Sequence, residues 1–169
     1  CPWDCDDRLI VDDELREVFD NLPAGVRLTF VSDSCFSGSV TRALPPWETP
    51  ADKRRVRFLN PRLLGLPETA RARDQRAKSR RRTTRPESAM KELLVSGCRD
   101  TQYSYDAKIG THYHGAMTYS ALQALQASGW DTTYASWVPR INRRLKAGGF
   151  DQNPQLEGKA TGKTRRVFR

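Results

Sequence analysis

The chain has 169 residues, enough for one domain with its own core, and 37% of them are hydrophobic. No run approaches the roughly 18 apolar residues of a membrane-spanning helix, and four irregularly spaced cysteines make no disulfide framework, so the expected setting is a reducing cytoplasm with no membrane partner. The net charge of +9 is local: thirteen Lys and Arg against three acidic residues fall between Ala51 and Pro86, so the basicity belongs to one insert and the remainder is close to neutral.

The first residues, Cys1-Pro2-Trp3-Asp4, show neither an initiating Met nor the basic and apolar regions of a signal peptide, as expected of a start inside a longer protein. Residues 1–20 are acidic. Asp12 or Asp13 can cap a helix running to about Asn21, with Leu15, Val18, Phe19 and Leu22 on its apolar face. Clustered carboxylates also suit calcium, a hard cation that takes six to eight oxygens, so Asp12 and Asp13 have two readings, helix caps or metal ligands.

Leu28-Thr29-Phe30-Val31 is apolar and β-branched or aromatic, and it stops in the small polar residues around Cys35. This predicts a buried parallel strand ending in a tight turn. Ligands bind beyond the carboxyl ends of strands in open α/β sheets, which places Cys35 for chemistry, and a following helix start would favour its thiolate. The competing reading is a buried structural cysteine. Asp33, two residues earlier, shares the side of Cys35 by strand alternation and can line the same pocket.

The insert has its densest charge in Arg71–Arg85, nearly free of apolar residues, which predicts a solvated loop. Nucleic acid ranks low as its partner because no aromatic is interleaved to stack on bases. A processing loop rich in cleavable Arg bonds is a further reading. After it, Glu92-Leu93-Leu94-Val95-Ser96 repeats the strand-then-turn pattern, and a shared parallel sheet would bring the turn from Cys98 to Gln102, with Asp100 in it, next to Cys35. Two helices follow, Gly115–Ser128 with Met117, Ala121, Leu122 and Leu125 inward, and about Thr133–Ala147 with Trp137, Val138, Ile141 and Leu145 inward. Pro139 should kink the second or delay its start. A last strand is expected around Arg165-Arg166-Val167-Phe168.

Asp33-Ser34-Cys35-Phe36-Ser37-Gly38 resembles the nucleophile motif of the metacaspases, caspase-like cysteine peptidases of family C14, whose usual form has His where Phe36 stands. Further resemblance runs through Asp12-Asp13-Glu14-Leu15, Leu22-Pro23-Ala24-Gly25-Val26, Val95-Ser96-Gly97-Cys98-Arg99-Asp100-Thr101-Gln102, Gly115-Ala116-Met117-Thr118-Tyr119 and Asn153-Pro154-Gln155-Leu156. The stretch from Leu44 to Glu87 matches no part of the family pattern.

The resemblance implies an α/β caspase-like fold, a mainly parallel sheet flanked by helices, with the N-terminal strands missing from this chain. It implies one partial peptidase domain over 1–169: the end of the large segment with the nucleophile in 1–45, a basic processing loop in 46–90 and the small segment in 91–169. Cys35 is the implied nucleophile, with Asp33 and Asp100 as substrate-binding residues, Asp33 holding the Arg or Lys before the cut. Protein or peptide substrates are the implied partners, together with an upstream segment that carries the general-base histidine. No cofactor is required by the resemblance. Calcium at Asp12-Asp13 is the one candidate, against which stands Arg42, where the family has a further aspartate.

Two other constellations rank below these. Cys1, Cys5, His112 and His114 do not have a zinc spacing. His114-Gly115 repeats the family's His-Gly pair but in the wrong half of the fold to serve as the base. The alternative function is a catalytically inactive caspase-like homologue acting as an interaction module.

Overall fold

A computed structural model describes residues 12–34, 54–57, 86–99 and 101–169. In chain order the elements are α1 (Asp12–Asp20), β1 (Thr29–Ser32), β2 (Arg54–Val56), a 3-10 turn (Glu87–Ala89), β3 (Leu93–Ser96), β4 (Tyr105–Ile109), β5 (His112–Gly115), α2 (Ala116–Ala127), α3 (Tyr134–Ala147), β6 (Gln155–Glu157) and α4 (Ala160–Lys163). Among the described residues the strands form two three-stranded sheets, ordered β1-β3-β6 and β2-β4-β5.

The two apolar strands pair in parallel, Thr29 opposite Leu93 and Ser32 opposite Ser96, so both polar turns leave the same end of the sheet. β6 closes the other side of β3 antiparallel, Ser96 opposite Gln155. β3 carries the core because it is the middle strand: Leu93 and Val95 are buried under α2 and α3, which supply Met117, Ala121, Leu125, Trp137, Ile141 and Leu145. Tryptophan can be buried there because its indole N–H finds a partner, donating to the Ala121 carbonyl at 2.9 Å and tying α3 to α2.

α3 starts where its cap lies: the Thr133 hydroxyl accepts from the Ser136 N–H at 3.3 Å. Pro139 sits inside the helix and does not delay that start. α1 is closed at its carboxyl end by Lys91, whose ammonium donates to the carbonyls of Asp20 (2.6 Å) and Leu22 (3.2 Å). Phe19 of α1 meets Phe30 of β1 with ring centroids 5.4 Å apart.

Several details depart from expectation. Val18 and Leu122 face solvent, 62% and 51% exposed, so each apolar face is narrower than its periodicity suggests. No strand forms around Val167. Val167 is buried, but the tail makes only a single bridge, Thr133 to Arg166, after the short helix α4. Tyr105–Ile109 and His112–Gly115 form a hairpin whose two-residue loop opens on Gly110 at φ 63°, the backbone that such tight turns demand. Part of the basic insert is also ordered as a strand, since β2 pairs antiparallel with β4.

Candidate active site

Asp33 lies one residue beyond the end of β1, at the edge of the sheet and two positions before Cys35 in the sequence. The neighbouring turn backs directly onto it: a Cβ on Gly97 would meet the Asp33 Cα at 3.2 Å, the Ser32 carbonyl oxygen at 3.2 Å and the Ser104 hydroxyl at 3.1 Å. A side chain at 97 would therefore separate the two turns. The expected shared parallel sheet is present and brings Gly97 against Asp33, while Cys35 and Asp100, which the expectation also placed together, lie outside the described residues.

The Asp33 carboxylate is enclosed, with its side chain 7% exposed, and four donor groups from three of the described residues reach it. Ser104 Oγ donates to Oδ1 at 2.6 Å. Thr118 donates to Oδ2 twice, from its backbone N–H at 3.0 Å and its hydroxyl at 2.7 Å. Thr118 is in the first turn of α2, where backbone N–H groups lack helical acceptors and the helix dipole favours negative charge, so Asp33 caps that helix from another part of the chain. The fourth donor is a guanidinium: Arg57 Nη1 stands 3.0 Å from Oδ2, and Arg57 Nε stands 3.3 Å from Asp106 Oδ1 on β4. Gly115 is the floor under this pair, since a Cβ there would run into both the Asp33 carboxylate and the Arg57 guanidinium.

The rear of the site is fixed by two amides. Buried Gln152 donates to the Gly97 carbonyl at 3.0 Å and accepts from the Tyr105 N–H at 3.1 Å, joining the turn after β3 to the start of β4. Gln102 accepts from the N–H groups of Arg99 (3.3 Å) and Asn153 (3.0 Å), which shapes the second turn. Cys98 is 1% exposed and its thiol donates to the Gln102 carbonyl at 3.4 Å, as fits wall or core and not a second nucleophile.

Cys35 and Asp100 lie outside the described residues, as do Cys1, Cys5, Arg42 and the stretch Arg71–Arg85. The side chains of Asp12 and Asp13 are also outside them, and the calcium site they would form with them. No group of three or more His, Cys, Asp or Glu that could hold a metal occurs among the described residues, and no described helix is long and apolar enough to cross a membrane. His112 and His114 are exposed on β5, their rings 6.5 Å apart, with His114 against Tyr119 at 5.8 Å.

Sequence reasoning missed Ser104, Asp106 and Thr118 as partners of the Asp33 site. The available signal for Thr118 was its place three residues after Gly115 in a recognised block, at a helix start. Asp106 gave only a lone acid in a polar stretch, which marks no site by itself.

A parallel strand pair whose polar ends meet at one sheet edge, where a carboxylate that binds a guanidinium stands two positions before Cys35 in the sequence, defines an α/β protein with a cation-binding carboxylate at the carboxyl end of β1. The caspase-domain model of family C14 peptidases matches residues 1–164, and the chain belongs to that family. It is 27% identical over 172 residues to metacaspase-1 of Lodderomyces elongisporus, with 87% of this chain and 38% of that protein covered. Against metacaspase-1 of Pyricularia oryzae it is 29% identical over 168 residues, covering 87% and 42%. A crystal structure of a Geobacter sulfurreducens protein matches with a TM-score of 0.62 and 26% identity, over 94% of this chain and 58% of that one. The chain thus spans about two-fifths of the length of these metacaspase relatives.

Proposed function

We propose that this chain is the nucleophile-bearing part of a cysteine endopeptidase that cuts after Arg or Lys and processes itself in its basic insert. The observation that carries the specificity is the Asp33 carboxylate, 7% exposed, holding a guanidinium at 3.0 Å two residues before Cys35. A substrate Arg would present the same guanidinium, whose planar fork suits a carboxylate better than a point charge does. Asp106 would take the remaining edge of the cation.

In the reaction the Cys35 thiolate adds to the carbonyl carbon of the residue before the cut. The bond to the leaving nitrogen breaks as that nitrogen takes a proton, and water then hydrolyses the thioester, returning the thiol and releasing a carboxylate. Backbone N–H groups near the sulfur would hold the oxyanion. The proton is moved by an imidazole, which the family resemblance puts in the segment preceding this chain.

The test is the complete protein assayed with matched peptidyl-aminomethylcoumarins ending in Arg, Lys or Asp. Cleavage after Arg and Lys that disappears with Cys35→Ala is the expected result. A preference for Asp, or turnover that survives Cys35→Ala, overturns the reading.

A further inference from the structure

The partner that Asp33 has in this structure comes from the chain itself, and the way it arrives is informative. Arg54–Val56 adds to the outer edge of β4 as an antiparallel strand, Arg54 opposite Ala107, Arg55 opposite Asp106 and Val56 opposite Tyr105. The pairing runs one residue past the strand, where the Arg57 N–H donates to the Ser104 carbonyl at 2.8 Å. Ser104 thus accepts from the Arg57 backbone while its hydroxyl holds the carboxylate that binds the Arg57 side chain.

The other two arginines are also received by specific groups. The Arg54 guanidinium lies over the Phe150 ring, 4.8 Å from its centroid, and donates to the Gly149 carbonyl at 2.6 Å. Gly149 adopts φ 76°, a backbone that favours glycine. Arg55 stacks on Tyr113 at 3.9 Å. Backbone pairing along a sheet edge with separate receptors for successive side chains is how proteins bind extended peptides. Arginine over an aromatic face is a selective contact that lysine matches poorly.

Resting on the peptidase reading above, we infer that the β4 edge is the groove for an extended basic tetrapeptide of the form Arg-Arg-Val-Arg, and that Arg54–Arg57 is its resident occupant. The last arginine enters the Asp33 pocket, the first meets Phe150 and Gly149, and the second meets Tyr113. An outside peptide of the same form must then displace a tethered competitor.

Fluorescence anisotropy tests this on the complete protein in its Cys35→Ala form, with fluorescein-Arg-Arg-Val-Arg amide as probe. A tethered competitor acts at an effective concentration of about millimolar, so Arg57→Ala should tighten probe binding at least about tenfold. Adding Asp33→Asn should remove the gain, and the equally charged Arg-Arg-Arg-Val probe should bind at least about tenfold more weakly. Equal affinity for parent and Arg57→Ala, or for the two probes, overturns the inference. As a check that needs no variant at position 57, millimolar unlabelled Arg-Arg-Val-Arg should raise hydrogen exchange of residues 54–57 in the parent and leave β3 unchanged. Unaltered protection there overturns it too. Because binding is read without turnover, probe binding in a protein that never cleaves would count against the peptidase reading alone, and cleavage without the Arg57→Ala gain against the resident strand alone.

Discussion

Asp33 and Arg57 stand 3.0 Å apart across a gap of 24 positions, and the carboxylate is five times less exposed than its cation, 7% against 35%. The asymmetry matters. A buried carboxylate held by Ser104 and Thr118 is a fixed receptor, while a half-exposed guanidinium can leave it at modest desolvation cost.

Replacing Asp33 should therefore do two things at once. In the complete protein, Asp33→Ala is expected to lower kcat/KM for Arg substrates about thirtyfold or more, because the substrate cation loses its partner. Stability should also fall by about 1–3 kcal/mol, since Ser104 Oγ and the Thr118 N–H lose their acceptor. Urea denaturation beside steady-state kinetics separates the effects. A stability loss with unchanged Arg cleavage would make Asp33 a helix cap only.

Gly115→Ala puts a methyl group into the space between Asp33 and Arg57. A destabilisation of about 1–3 kcal/mol is expected. Much of it should be relieved in an Arg57→Ala background, where the guanidinium no longer competes for the space. A double-mutant cycle by denaturant melting measures the coupling, and a coupling near zero would mean the methyl is accommodated elsewhere.

Gln152→Leu should cost about 1–3 kcal/mol although it keeps an apolar stem, because the Gly97 carbonyl and the Tyr105 N–H are left without their amide partner. The loss should be accompanied by faster hydrogen exchange at Tyr105, measurable by mass spectrometry. Unchanged exchange there would assign the stability loss to packing.

Legibility followed the apolar pattern. β1, β3 and α3 were readable because Leu28 to Val31, Leu93 to Val95 and the Trp137, Val138, Ile141, Leu145 series match their periods and end at turn or cap residues. The burial expected of β1 does not hold: among the described residues it pairs on one side, with β3, and Val31 is 39% exposed. The β4-β5 hairpin was not, because its outer strand His112–Gly115 is exposed and polar and carries no burial alternation. β2 was hidden more deeply. Its residues are mostly arginines, which read as a solvated charge run, yet Arg54 and Arg55 are held by Phe150 and Tyr113, and Arg57 just beyond the strand by Asp33, and not by a hydrophobic core. Val167 misled in the opposite sense, since a single buried apolar residue at a bridge resembles a strand without a ladder to make one.

Cys98 should be inert where Cys35 is essential. Its 1% exposure shields the thiol from solvent and from alkylating reagents, and the thiol donates to the Gln102 carbonyl at 3.4 Å. Cys98→Ala is expected to keep kcat within about twofold and to cost about 1 kcal/mol of stability, with iodoacetamide inactivation following Cys35 alone. Loss of turnover in folded Cys98→Ala would give the buried thiol a role in the chemistry.

Self-processing supplies the last prediction. On the proposed reading, an Arg-directed peptidase whose insert holds Arg80, Arg81, Arg82 and Arg85 carries many bonds of the type it would cut, and polar stretches poor in apolar residues are where nicking concentrates. Complete active protein should yield fragments ending within Arg71–Arg85, while Cys35→Ala protein stays whole. Intact-mass measurement reads both the position and the dependence. A fragment ending at Arg57 would instead mean that the strand seated on β4 is itself a substrate, and equal nicking of Cys35→Ala protein would assign the cuts to another protease. Dilution distinguishes a molecule cutting itself from one cutting its neighbour: the first gives a fraction cleaved per unit time that does not depend on protein concentration, as expected if the insert reaches its own site, and a rate that falls with dilution would require a second copy of the chain.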